Sequence, residues 1–140
     1  MSSSFDKCRI LAIPHFTDQR GSLSAIEGPP LLPFEPKRFY FLYEIPTDAH
    51  RGCHAHKSEK ELIVALAGRF KVAVNDGDST REFDLKSPDQ GLYVPPLVWH
   101  DLYSFAPGSV CAVIASERHN PEDYYYVYEE FLHARRQQAS

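Results

Sequence analysis

Short segments of alternating apolar and polar residues, separated by turn residues, leave this chain little room for anything but an all-β fold. Phe70, Val72 and Val74 alternate with Lys71 and Ala73. Successive side chains of a strand point to opposite faces, so this run offers one apolar face. Asn75-Asp76-Gly77-Asp78 follows, and Asn, Asp and Gly accept the positive φ that a tight hairpin demands. Thr80 to Leu85 then returns with Phe83 and Leu85 on one face. The same pattern recurs along the chain. Arg9 to Ile13 is stopped by Pro14, and Gly21 to Ile26 runs into a Gly28-Pro29-Pro30 and Pro33 loop. Lys37 to Ile45 carries Phe39, Tyr40, Phe41 and Tyr43, as a strand prefers, and Pro46 to Asp48 turns the chain. Glu61 to Leu66 joins Arg69 to Val74 through Gly68. Gly91 to Val94, His100 to Phe105 and Val110 to Ile114 complete the set, with Ala106-Pro107-Gly108-Ser109 between the last two. Short strands at this spacing predict a sandwich or barrel.

The tail reads differently. Asn120 suits a helix cap, Pro121 the first helical position, and Glu122 and Asp123 the first turn. Tyr124, Val127, Tyr128 and Phe131 recur at helical spacing, which predicts one C-terminal helix on the barrel. At 140 residues and 43% hydrophobic content, a single domain over 1–140 with a real core is expected, residues 1–7 being disordered. With 19 acidic against 15 scattered basic residues, the chain lacks the electrostatic footprint of a nucleic-acid binder. No apolar run is long enough to span a bilayer, and the start lacks the apolar stretch of a signal peptide. Cys8, Cys53 and Cys111 are too widely spaced for a disulfide framework, so a cytoplasmic protein with reduced thiols is expected.

The chemistry is concentrated in Arg51-Gly52-Cys53-His54-Ala55-His56-Lys57. On a strand His54 and His56 project side by side, and Cys53 faces away from them. Glu61 follows, and His100 lies further on in Tyr93-Val94-Pro95-Pro96-Leu97-Val98-Trp99-His100. Paired imidazoles, a carboxylate and a distant imidazole suit either metal binding or proton transfer. His15, His50, His119 and His133 lack such context and read as surface or loop residues, and Trp99 reads as core.

The spacing of His54, His56, Glu61 and Gly68 matches the first motif of the cupin superfamily, H-x-H-x(4)-E-x(6)-G. Gly91, Pro95 and His100 supply a reduced second motif, with Leu97 where glycine is usual and Ser104 where asparagine is frequent. The resemblance implies a jelly-roll β-barrel with these side chains directed inward. A narrower one covers about residues 9 to 131. Asp18-Gln19-Arg20-Gly21 with Leu23 and Glu27, Pro33 to Tyr40, Arg51 to Lys57, Gly91 to His100, and Ala115-Ser116-Glu117 with Asp123-Tyr124 resemble the WxcM-like nucleotide-sugar 3,4-ketoisomerases.

That resemblance implies a dTDP-4-keto-6-deoxyglucose substrate in deoxy-aminosugar biosynthesis and no metal or other cofactor. It also implies a homodimer with exchanged N-terminal strands. Moving a ketone from C4 to C3 requires removing the C3 proton, passing through an enediol or enediolate, and returning a proton at C4. By resemblance His54 and His56 form the acid/base pair; the sequence leaves open which is the base. Tyr40 is a candidate proton donor, and His100 a candidate stabiliser, relay or tautomer-holding partner. A diphosphate calls for cations, for which Arg20, Arg38, Arg51 and Lys57 are candidates. Thymine calls for an aromatic face, for which Tyr40, Tyr43, Tyr93 and Trp99 are available. Glu61 departs from the family, whose members often carry glutamine there. It completes a cupin ligand set of His54, His56, Glu61 and His100, which keeps a metal-dependent enzyme as a rival reading. A binding-only domain and a 3,5-epimerase are the other two.

Overall fold

The computed structural model describes residues 8–139, so the expectation about residues 1–7 lies outside it. Twelve strands and one helix are present among these residues. The strands are β1 (Arg9–Ala12), β2 (His15–Asp18), β3 (Gly21–Ser24), β4 (Arg38–Leu42), β5 (Arg51–His56) and β6 (Glu61–Ala67). They continue as β7 (Phe70–Asn75), β8 (Thr80–Leu85), β9 (Gln90–Val94), β10 (Trp99–Tyr103), β11 (Val110–Ala115) and β12 (Tyr124–Tyr125). One five-stranded sheet runs β1-β9-β6-β11-β4 and a second runs β12-β5-β10-β7-β8. β2 and β3 form a separate hairpin. The two sheets face one another as the expected jelly roll, and every pairing is antiparallel.

Strand parity builds the interior. Phe70, Val72 and Val74 point inward and are fully buried against Ile63, Leu92, Val94, Leu102 and Val113 from both sheets. A second cluster covers the outer face of the first sheet, where Leu32 and Phe34 pack on Leu62, Val64 and Tyr93. Burying the larger of these side chains contributes roughly 1.5–3 kcal/mol each.

Two glycine-like positions are filled by other residues. Leu97 has φ 60° and Ser104 φ 57°, at the places where the cupin motif carries glycine and asparagine. Those are the residues that tolerate the left-handed region best. Leu97 is held there through its amide, which donates to the His56 carbonyl at 2.8 Å, and through its own carbonyl, which accepts from Arg135 at 2.9 Å. Gly68 (φ +73°) joins β6 to β7 against the buried Ser109, whose hydroxyl oxygen accepts from the Arg69 amide at 3.1 Å.

The tail corrects the predicted helix. Asn120 does cap, accepting from the Glu122 amide, but only a 3-10 turn over Pro121–Asp123 follows. The chain then becomes β12, which pairs with β5 at His56 and Ala55, and α1 begins later, at Tyr128–Ala139. Sheet pairing and the capture of Asp123 by the Ser58 and Glu59 amides outcompete helix formation at residues 122–125. Trp99 is half-buried and packs edge-on against Tyr128 of that helix, with Phe131 at 5.8 Å. The strand at His15–Asp18 was not foreseen, since none of its residues is buried and apolar alternation is lacking. No helix among the described residues is long and apolar enough to cross a membrane.

Candidate active site

Register brings the functional residues together. On the second sheet His54 of β5 sits directly opposite His100 of β10, which in turn faces Val74. On the first sheet one row runs Arg38, Ala115, Glu61, Val94 across β4, β11, β6 and β9. The row two residues along is Tyr40, Val113, Ile63, Leu92, on the same face. Between the sheets lies a cavity of about 350 Å³ lined by His54, His100, Glu61, Tyr40, Arg38 and Arg51, and by the apolar Leu42, Ile63, Leu102 and Val113. His119 and Tyr124 close one side.

The imidazoles of His54 and His100 stand edge to face at 4.7 Å, and those of His54 and His56 at 4.8 Å. His54 Nδ1 lies 2.8 Å from the Gly52 carbonyl. A carbonyl only accepts, so Nδ1 carries the proton and Nε2 keeps its lone pair. That Nε2 is buried and has no hydrogen-bond partner among the described residues. Burial, then the neighbouring His100 and His56, lowers the His54 pKa to about 3. Burial likewise lowers His100, whose Nδ1 donates to the Val98 carbonyl at 3.3 Å.

His56 is only 3% exposed and does not line the cavity. Its Nε2 lies 3.3 Å from Glu59 and 3.5 Å from Glu61, and its Nδ1 lies 3.5 Å from Asp123. The two glutamates touch and are both buried. Burial and the charge of Glu61 push Glu59 up to about 9, so this carboxyl keeps its proton. Burial also works against Glu61, but contacts with His56 and His100 outweigh it and hold that carboxylate low. Tyr40 donates to Glu61 at 2.9 Å; burial and this carboxylate raise its phenol well above the ordinary range. The Arg38 guanidinium lies 4.8 Å over the Tyr40 ring.

Several predicted binding residues lie elsewhere. Tyr93 faces the opposite side of its strand from Leu92 and Val94 and stacks on Phe34, 5% exposed, away from the cavity. Tyr43 shares the outward parity of Phe39 and Phe41 and is exposed. Lys57 is exposed, its ammonium 5.2 Å from the Tyr125 ring. Arg20 sits at the β2–β3 turn in a 2.7 Å ion pair with Asp18, outside this chain's own cavity. Cys53 is exposed as expected, although not by simple alternation. Gly52 and Cys53 both have positive φ, and the register slips beside them. The Cys53 thiol donates to Asp101, and partial burial with that contact raises its pKa to about 11.

Sequence reasoning missed Glu59, His119 and Tyr124. Tyr124 packs 4.4 Å from the His56 ring and 4.8 Å from His54. Its signal is the Asp123-Tyr124 pair of the family resemblance, which helical spacing places in the predicted helix.

The cupin metal arrangement would draw on these same side chains. Ring nitrogens of His54, His56 and His100 converge within 4.8 Å, and a ring nitrogen of His56 with carboxylate oxygens of Glu59 and Glu61 forms a second convergent group. The expected four-residue set is divided between the two. With a metal bound, the three imidazoles would hold it and it would supply a Lewis acid.

Comparison with known proteins agrees with this geometry. The family described as "FdtA: WxcM-like, C-terminal" matches residues 6–136. A TDP-4-oxo-6-deoxy-alpha-D-glucose-3,4-oxoisomerase of Aneurinibacillus thermoaerophilus is 37% identical over 123 residues, covering 88% of each chain. The 3,4-ketoisomerase QdtA of Thermoanaerobacterium thermosaccharolyticum, solved in complex with TDP, superposes with a TM-score of 0.91 at 30% identity, over 94% of this chain and 96% of that one. The TDP-quinovose 3,4-ketoisomerase WlaRB of Campylobacter jejuni gives 0.87 at 34% identity, over 90% and 97%. By motif, fold and site geometry together, the chain belongs to the WxcM-like, C-terminal family.

Proposed function

We propose that this protein is a nucleotide-sugar 3,4-ketoisomerase, converting dTDP-4-keto-6-deoxyglucose to a dTDP-3-keto-6-deoxyhexose. The observation that carries the reading is the free His54 Nε2, a neutral imidazole nitrogen facing a cavity of sugar size. His54 is the base. Its Nε2 takes the C3 proton, the C3–C4 bond becomes double, and negative charge develops on the C4 oxygen. A proton then returns to C4, the hydroxyl proton on O3 is released, and O4 is protonated, which leaves the ketone at C3. Having taken the C3 proton, His54 is an acid in contact with the adjacent carbon, and His100 lies 4.7 Å from it as its relay. Tyr40 has its own proton committed to Glu61, so towards the sugar its oxygen accepts from a hydroxyl. Arg38 and Arg51 line the cavity and are its cations for the diphosphate. His56, flanked by carboxylates at both ring nitrogens, supports His54 from behind.

The test is proton NMR of metal-stripped protein with dTDP-4-keto-6-deoxyglucose in deuterated water. Appearance of the 3-keto product is the expected result; protium kept at C4 marks return of the same proton by His54, and deuterium there marks exchange through His100. Conversion only after a divalent metal is added would replace this reading with the metal-dependent one. Deuterium at C5 would point to an epimerase, and binding without turnover to a binding domain.

The family reading extends to a homodimer. Every residue of β2 and β3 is exposed, and Phe16 (68%) sits opposite Leu23 (60%) on that hairpin. β4 is a sheet edge whose Phe39, Phe41 and Tyr43 face outward. Two uncovered apolar surfaces on so small a chain support exchange of the hairpin between subunits, which would carry Arg20 toward the partner's cavity. Sedimentation equilibrium is expected to give a dimer, and the double substitution F16S and L23S a monomer of much lower activity. A fully active monomer would remove this part of the reading.

A further inference from the structure

We propose that Glu59 is a positioning residue for the reaction, tying Arg38 to His56 behind the cavity wall; the inference rests on the ketoisomerase reading above. Glu59 stands in the connection between β5 and β6, yet it is 3% exposed. A glutamate so deeply buried needs partners. A single oxygen, Oε2, lies 3.3 Å from His56 Nε2 and 3.4 Å from Arg38 Nη2. Arg38 Nε and Nη1 and both nitrogens of His56 are buried without a full hydrogen bond among the described residues. Glu59 Oε2 therefore bridges the two groups, and it is nearer to His56 Nε2 than Glu61 is, at 3.3 Å against 3.5 Å.

Its backbone is fixed independently. The Glu59 amide donates to Asp123 Oδ2 at 3.1 Å, and the Ser58 amide to Asp123 Oδ1 at 2.9 Å. On the other side the Lys60 amide donates to the Ser116 hydroxyl and the Ser116 amide to the Lys60 carbonyl. The carboxyl group is thus delivered to one place, unlike the loose partner of a surface ion pair.

The contacts close a ring. Glu59 meets Arg38, Arg38 lies over Tyr40, Tyr40 donates to Glu61, Glu61 Oε1 is 3.5 Å from His56, and His56 returns to Glu59. Arg38, Tyr40 and Glu61 line the cavity, and His56 packs against His54. Glu59 itself does not line it. Removing its carboxyl opens the ring on two sides at once and leaves the substrate's own contacts in place. The signature is a loss in kcat with little change in KM.

The experiment compares full-length wild type, Glu59→Leu and Glu59→Gln in steady-state turnover, with TDP binding by calorimetry as the check on the fold. Glutamine keeps the planar group, its acceptor oxygen and the length of the stem. Glu59→Leu is expected to lose about 30-fold in kcat, the scale of one charge-assisted hydrogen bond, with KM and TDP affinity within about threefold of wild type. Glu59→Gln is expected to recover kcat to within about threefold of wild type. Glu59→Met gives the same readout if the leucine variant does not fold. Unchanged kcat in the apolar variants, a glutamine variant as impaired as leucine, or a loss confined to KM overturns the inference. Wild-type protein that turns nothing over overturns the ketoisomerase reading instead.

Discussion

Replacing His54 by asparagine is expected to reduce kcat by about a thousandfold or more, within the range lost when a general base is removed. Asparagine is close to the imidazole in its reach and polarity, so the fold and TDP binding should survive. It has no basic nitrogen with which to take the C3 proton. The tautomer of His54 decides the effect. Nδ1 is spent on the Gly52 carbonyl, and Nε2 is therefore the one nitrogen with a lone pair to offer. The lowered pKa adds a second expectation. A group with a pKa of about 3 is already neutral at pH 5, so lowering the pH from 7 to 5 protonates little of His54. Rates measured by single-turnover NMR should not fall on its account across that interval. An asparagine variant within tenfold of wild type, with its protein intact, would move the base elsewhere.

The second large effect is on the fold. Gly68→Ala is expected to cost about 3–5 kcal/mol, combining left-handed backbone strain with overpacking. An added Cβ would stand 2.3 Å from Ser109 Oγ and 2.7 Å from Ser109 Cα, and the latter is backbone that cannot rotate away. Ser109 is itself held by hydrogen bonds to Arg69 and Ala106, so the β10–β11 turn would have to move as a unit. Gly108 provides the control. It has φ +77° but nothing within 4 Å of its would-be Cβ, so Gly108→Ala carries the backbone strain alone, about 1 kcal/mol. Urea denaturation of the two variants separates the contributions. Equal losses would mean that the loop relaxes and that the contact with Ser109 is not rigid. For a domain whose total stability is about 5–15 kcal/mol, the Gly68 change consumes a large share.

Much of this fold was legible because strand alternation and turn chemistry are local. The Asn75–Asp78 hairpin and the Phe70, Val72, Val74 face lie where their residue types put them. The imidazole pair was legible for the same reason. Residues whose roles depend on the partner element were not. Tyr93 reads as an aromatic face available to thymine, whereas parity turns it to the other face of the sheet. Glu59 stands among charged and polar neighbours in Lys57-Ser58-Glu59-Lys60, and its burial goes with tertiary contacts such as that of its amide to Asp123, 64 positions away. Tyr124 has helical spacing to Tyr128 and Phe131, and nothing local reveals that β5 will claim it as a strand neighbour.

That late strand bears on the order in which the molecule is made. A chain emerging from the ribosome presents Tyr40, His54, Glu61 and His100 long before residues 121–125. Until those residues arrive, the Ser58 and Glu59 amides lack Asp123, and the faces of the imidazole pair lack the Tyr124 ring. A chain released before that point would carry the main strands of both sheets and the imidazole pair. It would lack the tyrosine that closes one side of the cavity and the anchor that delivers Glu59. The arrival of residues 121–125 thus completes both the cavity wall and the seat of Glu59.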